Sequence, residues 1–385
     1  MVKTPFGDTT SFDTDPIVKQ GTVLGPVLCS SSTGEYCTKN IGVAIGTLVL
    51  ASLLYVDDII DLTGSIRDCE DSHRNALLFS LLKKLKYSCT KCYNMIINQK
   101  SGSEVPILPL DDENNVLTAS ELAYLGDVFN NMGNNDGLIK DRVKRGIKAM
   151  VTITALMAER EVDVHRVSIM LLLYRALFIS TMLFNSQAWS KLRKKDINSL
   201  QTLQLKYLKR VLGVASSTAN AVVYLELGVL PIQYEIELRQ LMFLHRILNL
   251  EDEDPVHEMF TNQTTLAEAG EENWWSGVKL LLNKYELTET LDEIKTMSKG
   301  RFRWLVKKAV EKVALEQLQL ECSLLKKTSN LKYEELKLQP YLSKLYPSQS
   351  RIIFKMRSQT LDIKTHSTYK YADRLSEMWC GGGNC

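Results

Sequence analysis

Two adjacent carboxylates, Asp57 and Asp58, sit within LVLASLLYVDDIIDL (48–62), between two runs of aliphatic residues. Such runs read as short strands buried on both sides and joined at a tight turn, with the acids held at its tip. Neighbouring carboxylates repel, and burying either charge costs on the order of several kcal/mol unless a cation or donor compensates it. A divalent cation is the natural compensator. Mg2+ takes a few carboxylates together with substrate phosphates and water, and two such ions can activate a 3′-hydroxyl and stabilise a leaving pyrophosphate. The chemistry indicated is nucleotidyl transfer. A bare Asp-Asp pair is also an ordinary turn, so the choice between the two rests on the surrounding residues.

Those residues supply three further motifs. Val18-Lys19-Gln20-Gly21-Thr22-Val23-Leu24-Gly25-Pro26 precedes the pair; Met95-Ile96-Ile97-Asn98-Gln99-Lys100-Ser101 and Tyr124-Leu125-Gly126 follow it. Gly21 and Gly25 let a backbone approach a flat ligand closely, and Pro26 suits the first turn of a helix starting there. Lys100 could place a cation near a triphosphate or act as a general acid, and a Lys in a polar turn is equally a solvated side chain. Tyr124, Leu125 and Gly126 alone could be strand core and a turn.

Taken in order, the four motifs resemble those of reverse transcriptases. Tyr55-Val56-Asp57-Asp58 is similar to the family's Tyr-X-Asp-Asp box, and the Gln20-Gly21 segment to its QG…LGP motif. The Asn98–Lys100 stretch and Tyr124-Leu125-Gly126 are similar to the family's Asn/Lys motif and primer-grip hairpin. The resemblance implies that Asp57 and Asp58 are catalytic metal ligands and that Gln20, Gly21, Tyr55, Val56 and Lys100 bind substrate. It also implies Mg2+ as cofactor, an RNA template, a DNA primer and deoxynucleotide triphosphates. The family's third carboxylate lies on a strand well upstream of the QG motif. Phe6-Gly7-Asp8 through Asp13 superficially resembles that strand, but Thr9, Thr10 and Ser11 do not make a buried one, and the gap to Gln20 is too short for the helix the family places there. The catalytic set is therefore expected to be completed by an upstream part of the polymerase, and this chain alone to be weakly active or inactive.

The elements that would position these residues form an α+β arrangement. Residues 1–136 alternate turn-rich pieces with short apolar runs, as in a partial palm. Within them, Asp71 to Tyr87 predicts a helix whose Leu77, Leu78, Leu81, Leu82 and Leu85 form the apolar stripe. Ile41 to Val56 reads as paired strands, being short of the roughly 20 residues a membrane span needs. Residues 137–250 predict nearly continuous helix, broken at 161–163, 185–189 and 213–218, as in a thumb or connection. Residues 251–338 predict a further helical region entered through Glu251–Asp254 and Pro255, and 339–385 a loop-rich tail with at most one short helix.

Two helices carry basic faces. Lys140, Arg142, Lys144, Arg145 and Lys148 alternate with Ile139, Val143, Ile147 and Met150; Lys206, Lys209 and Arg210 lie beside a stripe of Ile197, Leu200, Leu208 and Val211. Each face could follow a phosphate backbone or be simply solvated. Trp189, the run 203–213 and Leu225-Gly228-Leu230-Pro231 resemble the region following the polymerase in non-long-terminal-repeat retroelements, which implies nucleic-acid binding by Lys206, Lys209 and Arg210.

Composition leaves these readings open. The chain of 385 residues is 45% hydrophobic, which suits a folded core, and its net charge of +2 is too mild to indicate nucleic acid by itself. Eight cysteines without a secretory signal suit reduced thiols in the cytoplasm or nucleus. Cys89 and Cys92 form a CxxC without a second pair at zinc-ligand spacing. Cys380 and Cys385 resemble the opening of a zinc knuckle whose remaining ligands are absent, so zinc is not expected. His165, His245 and His366 stand alone and read as packing or surface residues.

Overall fold

The computed structural model describes residues 3–4, 7–8, 25–36, 41–88, 90–99, 104–158 and 166–360. In chain order the strands are β1 Lys3–Thr4, β2 Gly7–Asp8, β3 Val43–Ile45, β4 Leu48–Leu50, β5 Ser52–Tyr55, β6 Asp58–Asp61, β7 Tyr93–Asn94, β8 Leu117–Thr118, β9 Glu121–Tyr124 and β10 Asp127–Asn130. The helices are α1 Gly25–Thr33, α2 Ile66–Lys83, α3 Asp136–Ala158, α4 Arg166–Leu173, α5 Ser180–Met182, α6 Lys194–Leu212, α7 Asn220–Leu227, α8 Ile232–Leu248 and α9 Pro255–Glu268. They continue with α10 Trp274–Lys284, α11 Leu291–Thr296, α12 Lys299–Ser323, α13 Pro340–Lys344 and α14 Pro347–Arg357. The fold is mixed α+β and divides into two compact units. One comprises Met1–Asn134 with Leu250–Gly270, the other Asn135–Asn249 with Glu271–Cys385.

In the first unit the strands pair two by two: β1 with β2, β3 with β4, β5 with β6 and β9 with β10 antiparallel, and β7 with β8 parallel. A two-stranded ribbon cannot cover both its faces. Leu53, Leu54 and Tyr55 of β5 are accordingly exposed, which corrects the expectation of strands buried on both sides. Helix α2 starts at Ser65, whose hydroxyl accepts from the Asp68 amide at 3.1 Å, and stops where Lys84 turns left-handed at φ 55°. It thus begins five residues and ends four residues before the expected helix.

The orientation of α2 is the larger surprise. Leu81 is 74% and Leu82 82% exposed, and Leu78 and Leu85 also face solvent, so the leucine stripe is not the packed face. What docks instead is a polar side. Asp61 accepts hydrogen bonds from the hydroxyls of Tyr36 (2.6 Å), Ser52 (2.6 Å) and Ser72 (2.8 Å), tying α2 and the end of α1 to the β5–β6 hairpin. Tyr36 also meets Phe79 edge to face at 5.2 Å between ring centroids. Helix α9 joins the β3–β4 turn through Thr47, which donates to Glu258.

The second unit is helical, and its core runs through α3, α4, α6, α7, α8 and α12. The predicted breaks are present: Asn185 turns left-handed and α6 ends at left-handed Gly213, while 161–163 lie outside the described residues. On α3 the buried face is Ile139, Arg142, Gly146, Met150, Ile153 and Met157, one position away from the face expected at Ile147, which is exposed. Arg142 belongs to that core rather than to a basic face, its guanidinium 5.2 Å from the Phe184 ring. Gly146 permits this, because a Cβ there would press on Leu203 at 2.8 Å.

Between α4 and α5 the helix widens into a π segment, Tyr174–Ile179, where Tyr174 and Phe178 pack on Tyr207. Gln204 of α6 sits at the centre, fully buried. Its amide nitrogen donates to the Tyr174 hydroxyl (2.7 Å) and the Leu230 carbonyl (2.8 Å), and its oxygen accepts from the Tyr224 hydroxyl (2.7 Å) and the Ile232 amide (2.9 Å). His245 stacks on Phe302 with a ring nitrogen 2.9 Å from the Met297 carbonyl, a packing role. The tail is more ordered than its prolines imply, since α13 and α14 both form, each with proline in its first turn.

Replacing Gln204 with Leu would strand two hydroxyls, an amide and a carbonyl in the core. We expect a loss of about 2–4 kcal/mol in urea unfolding, the range for breaking a buried polar network; a loss under about 1 kcal/mol would contradict this account of the core.

Candidate functional site

The carboxylate pair lies at the tip of the β5–β6 hairpin, where Tyr55 pairs with Asp58 and a two-residue turn, Val56-Asp57, reverses the chain. Val56 is left-handed at φ 58°, a conformation that costs a β-branched residue on the order of 1–3 kcal/mol. The turn is backed by α1, whose last residue, Thr33, shares its single hydroxyl proton between the Val56 carbonyl at 3.1 Å and the Cys29 carbonyl of its own helix at 3.0 Å. Asp57 and Asp58 both project into solvent, with Val56 half-buried beneath them. Adjacent charges at so tight a turn stay separated from each other only by hydration, which suits an exposed tip.

A second hairpin stands beside the first. In β9–β10, Tyr124 pairs with Asp127 across a turn in which Leu125 (φ 45°) and Gly126 (φ 90°) are both left-handed, as the tight primed hairpin turns require. The Tyr124 hydroxyl is pushed above its usual range by burial and then by the negative charge of Asp58, so the two tips share one electrostatic neighbourhood. At its base this hairpin holds the Asn98 segment: the Asn98 amide donates to the Asn131 carbonyl at 3.0 Å, and the Asn131 amide to that of Ser120 at 2.9 Å.

The structure thus gathers Tyr55, Val56, Asp57, Asp58, Tyr124, Leu125, Gly126 and Asn98 in the first unit. Gln20, Gly21 and Lys100 lie outside the described residues, as do Cys89, Cys380, Cys385, His165 and His366. Pro26 does fall in the first turn of a helix, α1. Sequence reasoning missed Thr33 and Asp61: Thr33 stands in a serine-rich stretch that reads as a turn, and Asp61 in the far strand carries no motif signal.

In the second unit, Lys206 and Arg210 are exposed one turn apart on α6. Lys209 behaves differently. Its ammonium donates to the Ser216 carbonyl at 2.6 Å, closing the loop after the helix, and burial pushes its titration below the usual lysine range.

No protein-family model and no curated protein sequence matches the chain. Among the described residues no three His, Cys, Asp or Glu side chains converge as a metal site, and no helix is long and apolar enough to cross a membrane. The donor set at the hairpin tip is two hard, solvated carboxylates. That set fits Mg2+ shared with substrate phosphates and water, an ion that rarely uses an all-protein cage.

The proximity of the two hairpins can be read directly. Asp58→Asn should lower the titration midpoint of Tyr124, followed by ring NMR, toward the ordinary tyrosine value near 10; an unmoved midpoint would separate the tips. Because the folded-state value lies above the unfolded one, the stabilisation from neutral Tyr124 is complete below about pH 10 and fades as pH rises through the folded value.

Proposed function

We propose that the first unit carries the carboxylate pair of an RNA-directed DNA polymerase of the non-long-terminal-repeat retrotransposon type, in a partial palm, and that the second unit includes a helical thumb. The observation that carries this reading is the strained Val56 turn, which presents Asp57 and Asp58 to solvent at the tip of a hairpin braced by Thr33. Strain at a β-branched residue persists only where surrounding structure enforces it, and such positions concentrate at functional sites. The adjacent Tyr124-Leu125-Gly126 turn supports the same reading.

In that role Asp57 and Asp58 would hold Mg2+, which when bound would polarise phosphoryl oxygens and lower the barrier to attack by a primer 3′-hydroxyl. Tyr55 and Val56 would shape the floor under the primer end, and Tyr124, Leu125 and Gly126 would orient it. RNA template, DNA primer and deoxynucleotide triphosphates are the implied partners. A second reading draws on the exposed Lys206 and Arg210, one turn apart on α6. In it, the chain is a non-catalytic nucleic-acid-binding remnant whose affinity falls with salt.

Manganese, a paramagnetic stand-in for Mg2+, tests the first reading. With a deoxynucleotide triphosphate present, Mn2+ should broaden NMR signals of the β5–β6 tip and of Tyr124 first, and Asp57→Asn with Asp58→Asn should abolish that pattern. Broadening that is indifferent to both substitutions would remove the metal site. Primer extension by this chain alone is expected to be near zero, so steady extension that survives Asp57→Asn would also refute the assignment.

A further inference from the structure

Resting on the reading of the chain as a nucleic-acid binder but not on the carboxylate pair, we propose that a cleft in the second unit binds the phosphates of a single-stranded nucleic acid, with one base stacked on Tyr346. The cleft, of about 510 Å3, is walled by the start of α4, the end of α6 and the α13–α14 corner. Its size lies within the range of small-ligand sites, roughly 300–1,000 Å3. Three arginines from three elements line it: Arg166, Arg210 and Arg351.

None of these guanidiniums meets a carboxylate or another acceptor among the described residues, although acids elsewhere in this unit are paired: Asp196 with Arg193, Glu226 with Arg357, Glu237 with Lys284. Three like charges around one concavity repel one another, and an anion between them relieves that repulsion. The arrangement is also sterically prepared. Arg351 lies over Gly213, where left-handed φ 64° and the absence of a Cβ leave room for the guanidinium.

Two more features choose among phosphate ligands. Helix α14 is 11 residues long and opens with Pro347 and Ser348 at the cleft, so the Ser348 amide, in the first turn where the helix leaves amides without intrahelical partners, adds a donor beside the arginines. Tyr346, immediately before it, is an exposed aromatic ring on the cleft wall. Arginines on separate elements suit successive phosphates better than one, and an exposed ring beside them suits an unstacked base, which a duplex does not offer.

The full chain and a fluorescein-labelled 20-mer of oligouridine, followed by anisotropy across 50–200 mM KCl without Mg2+, provide the test. Arg210→Gln with Arg351→Gln should weaken binding at least tenfold and flatten the log-log salt slope by about 1.4, at roughly 0.7 per phosphate on a single strand. Tyr346→Leu should weaken it at least fivefold while leaving the slope unchanged. Arg351→Lys, which keeps the charge, should recover part of the loss, an outcome that a folding defect would not produce; thermal melting of each variant guards the comparison. A double variant that binds like the parent overturns the proposal. So does equal affinity for the duplex with no effect of Tyr346→Leu, or inorganic pyrophosphate saturating the cleft while oligouridine fails to compete. Asp57→Asn should not alter this binding, so failure of the polymerase reading leaves the cleft standing, and failure of the cleft leaves the hairpin untouched.

Discussion

An acid that collects hydroxyl donors organises each unit, and the second unit, where that acid is fully buried, shows the consequence most fully. The Glu226 carboxylate, with no solvent exposure, accepts from the Tyr333 hydroxyl (2.6 Å), the Tyr341 hydroxyl (2.8 Å) and Nε of Arg357 (2.7 Å). Removing a carboxylate from water costs several kcal/mol on an order-of-magnitude view, and only short charge-assisted bonds from all sides offset that. The three donors come from the segment after α12, from α13 and from α14, so satisfying one charge brings the C-terminal elements onto α7. The Gln339 amide adds a bond to the Glu226 carbonyl. Close approach completes the seam, since Gly228 (φ 60°) leaves no room for a Cβ against the backbone of Lys337 and Leu338. Burial lifts the Tyr333 and Tyr341 hydroxyls far above their usual range, with the Glu226 charge adding to it, so both remain donors.

Asp61 plays the corresponding part in the first unit with less burial and a different outcome. Ser72 and Tyr36 fix α2 and the segment after α1 to the β5–β6 hairpin, while Ser52 clamps Asp61 from within it, and because the contact on α2 lies on its polar side, the leucines are turned outward. Hydrogen-bond geometry is directional, whereas the attraction of leucines for a ribbon with no broad apolar face is weak. The catalytic candidates therefore stand on a hairpin positioned by a polar anchor and a threonine brace. An isolated two-stranded ribbon is marginal by itself, so these bonds matter more here than any one bond does in the helical unit.

What the sequence disclosed follows from this difference. Turn chemistry was legible: Gly213 ends α6, Pro26 starts α1, and the Val56-Asp57 and Leu125-Gly126 turns fall between apolar runs where motif order put them. Faces were less legible. The 3.6-residue period finds a stripe, but which stripe packs depends on the neighbour, and on α3 the close approach permitted by Gly146 drew Arg142 inward and left Ile147 outside. Burial of β5 failed for a related reason, because near-continuous aliphatic runs announce a covered sheet without revealing whether further strands pair with it. The expected loop-rich tail holds two helices because Pro340 and Pro347, which break a helix interior, each stand in a first turn, where proline starts one. Gln204 and Glu226, each surrounded by tyrosines distant in sequence, carry no local signal at all.

The two candidate sites share a physical signature that sets them apart from the rest of the protein. Three polar groups elsewhere are matched to several partners each: four bonds to the Gln204 amide, three to Glu226, three to Asp61. Among the described residues, the adjacent negative charges at the β5–β6 tip rest on a strained valine with no protein cation to answer them, and at the α6–α14 cleft three guanidiniums gather with no acid to answer them. A charge that the fold leaves unanswered is where a ligand of opposite sign gains most. The signs of the charges then assign the ligands by complementarity. Carboxylates call for a cation that can be shared with phosphate, and guanidiniums call for phosphate itself.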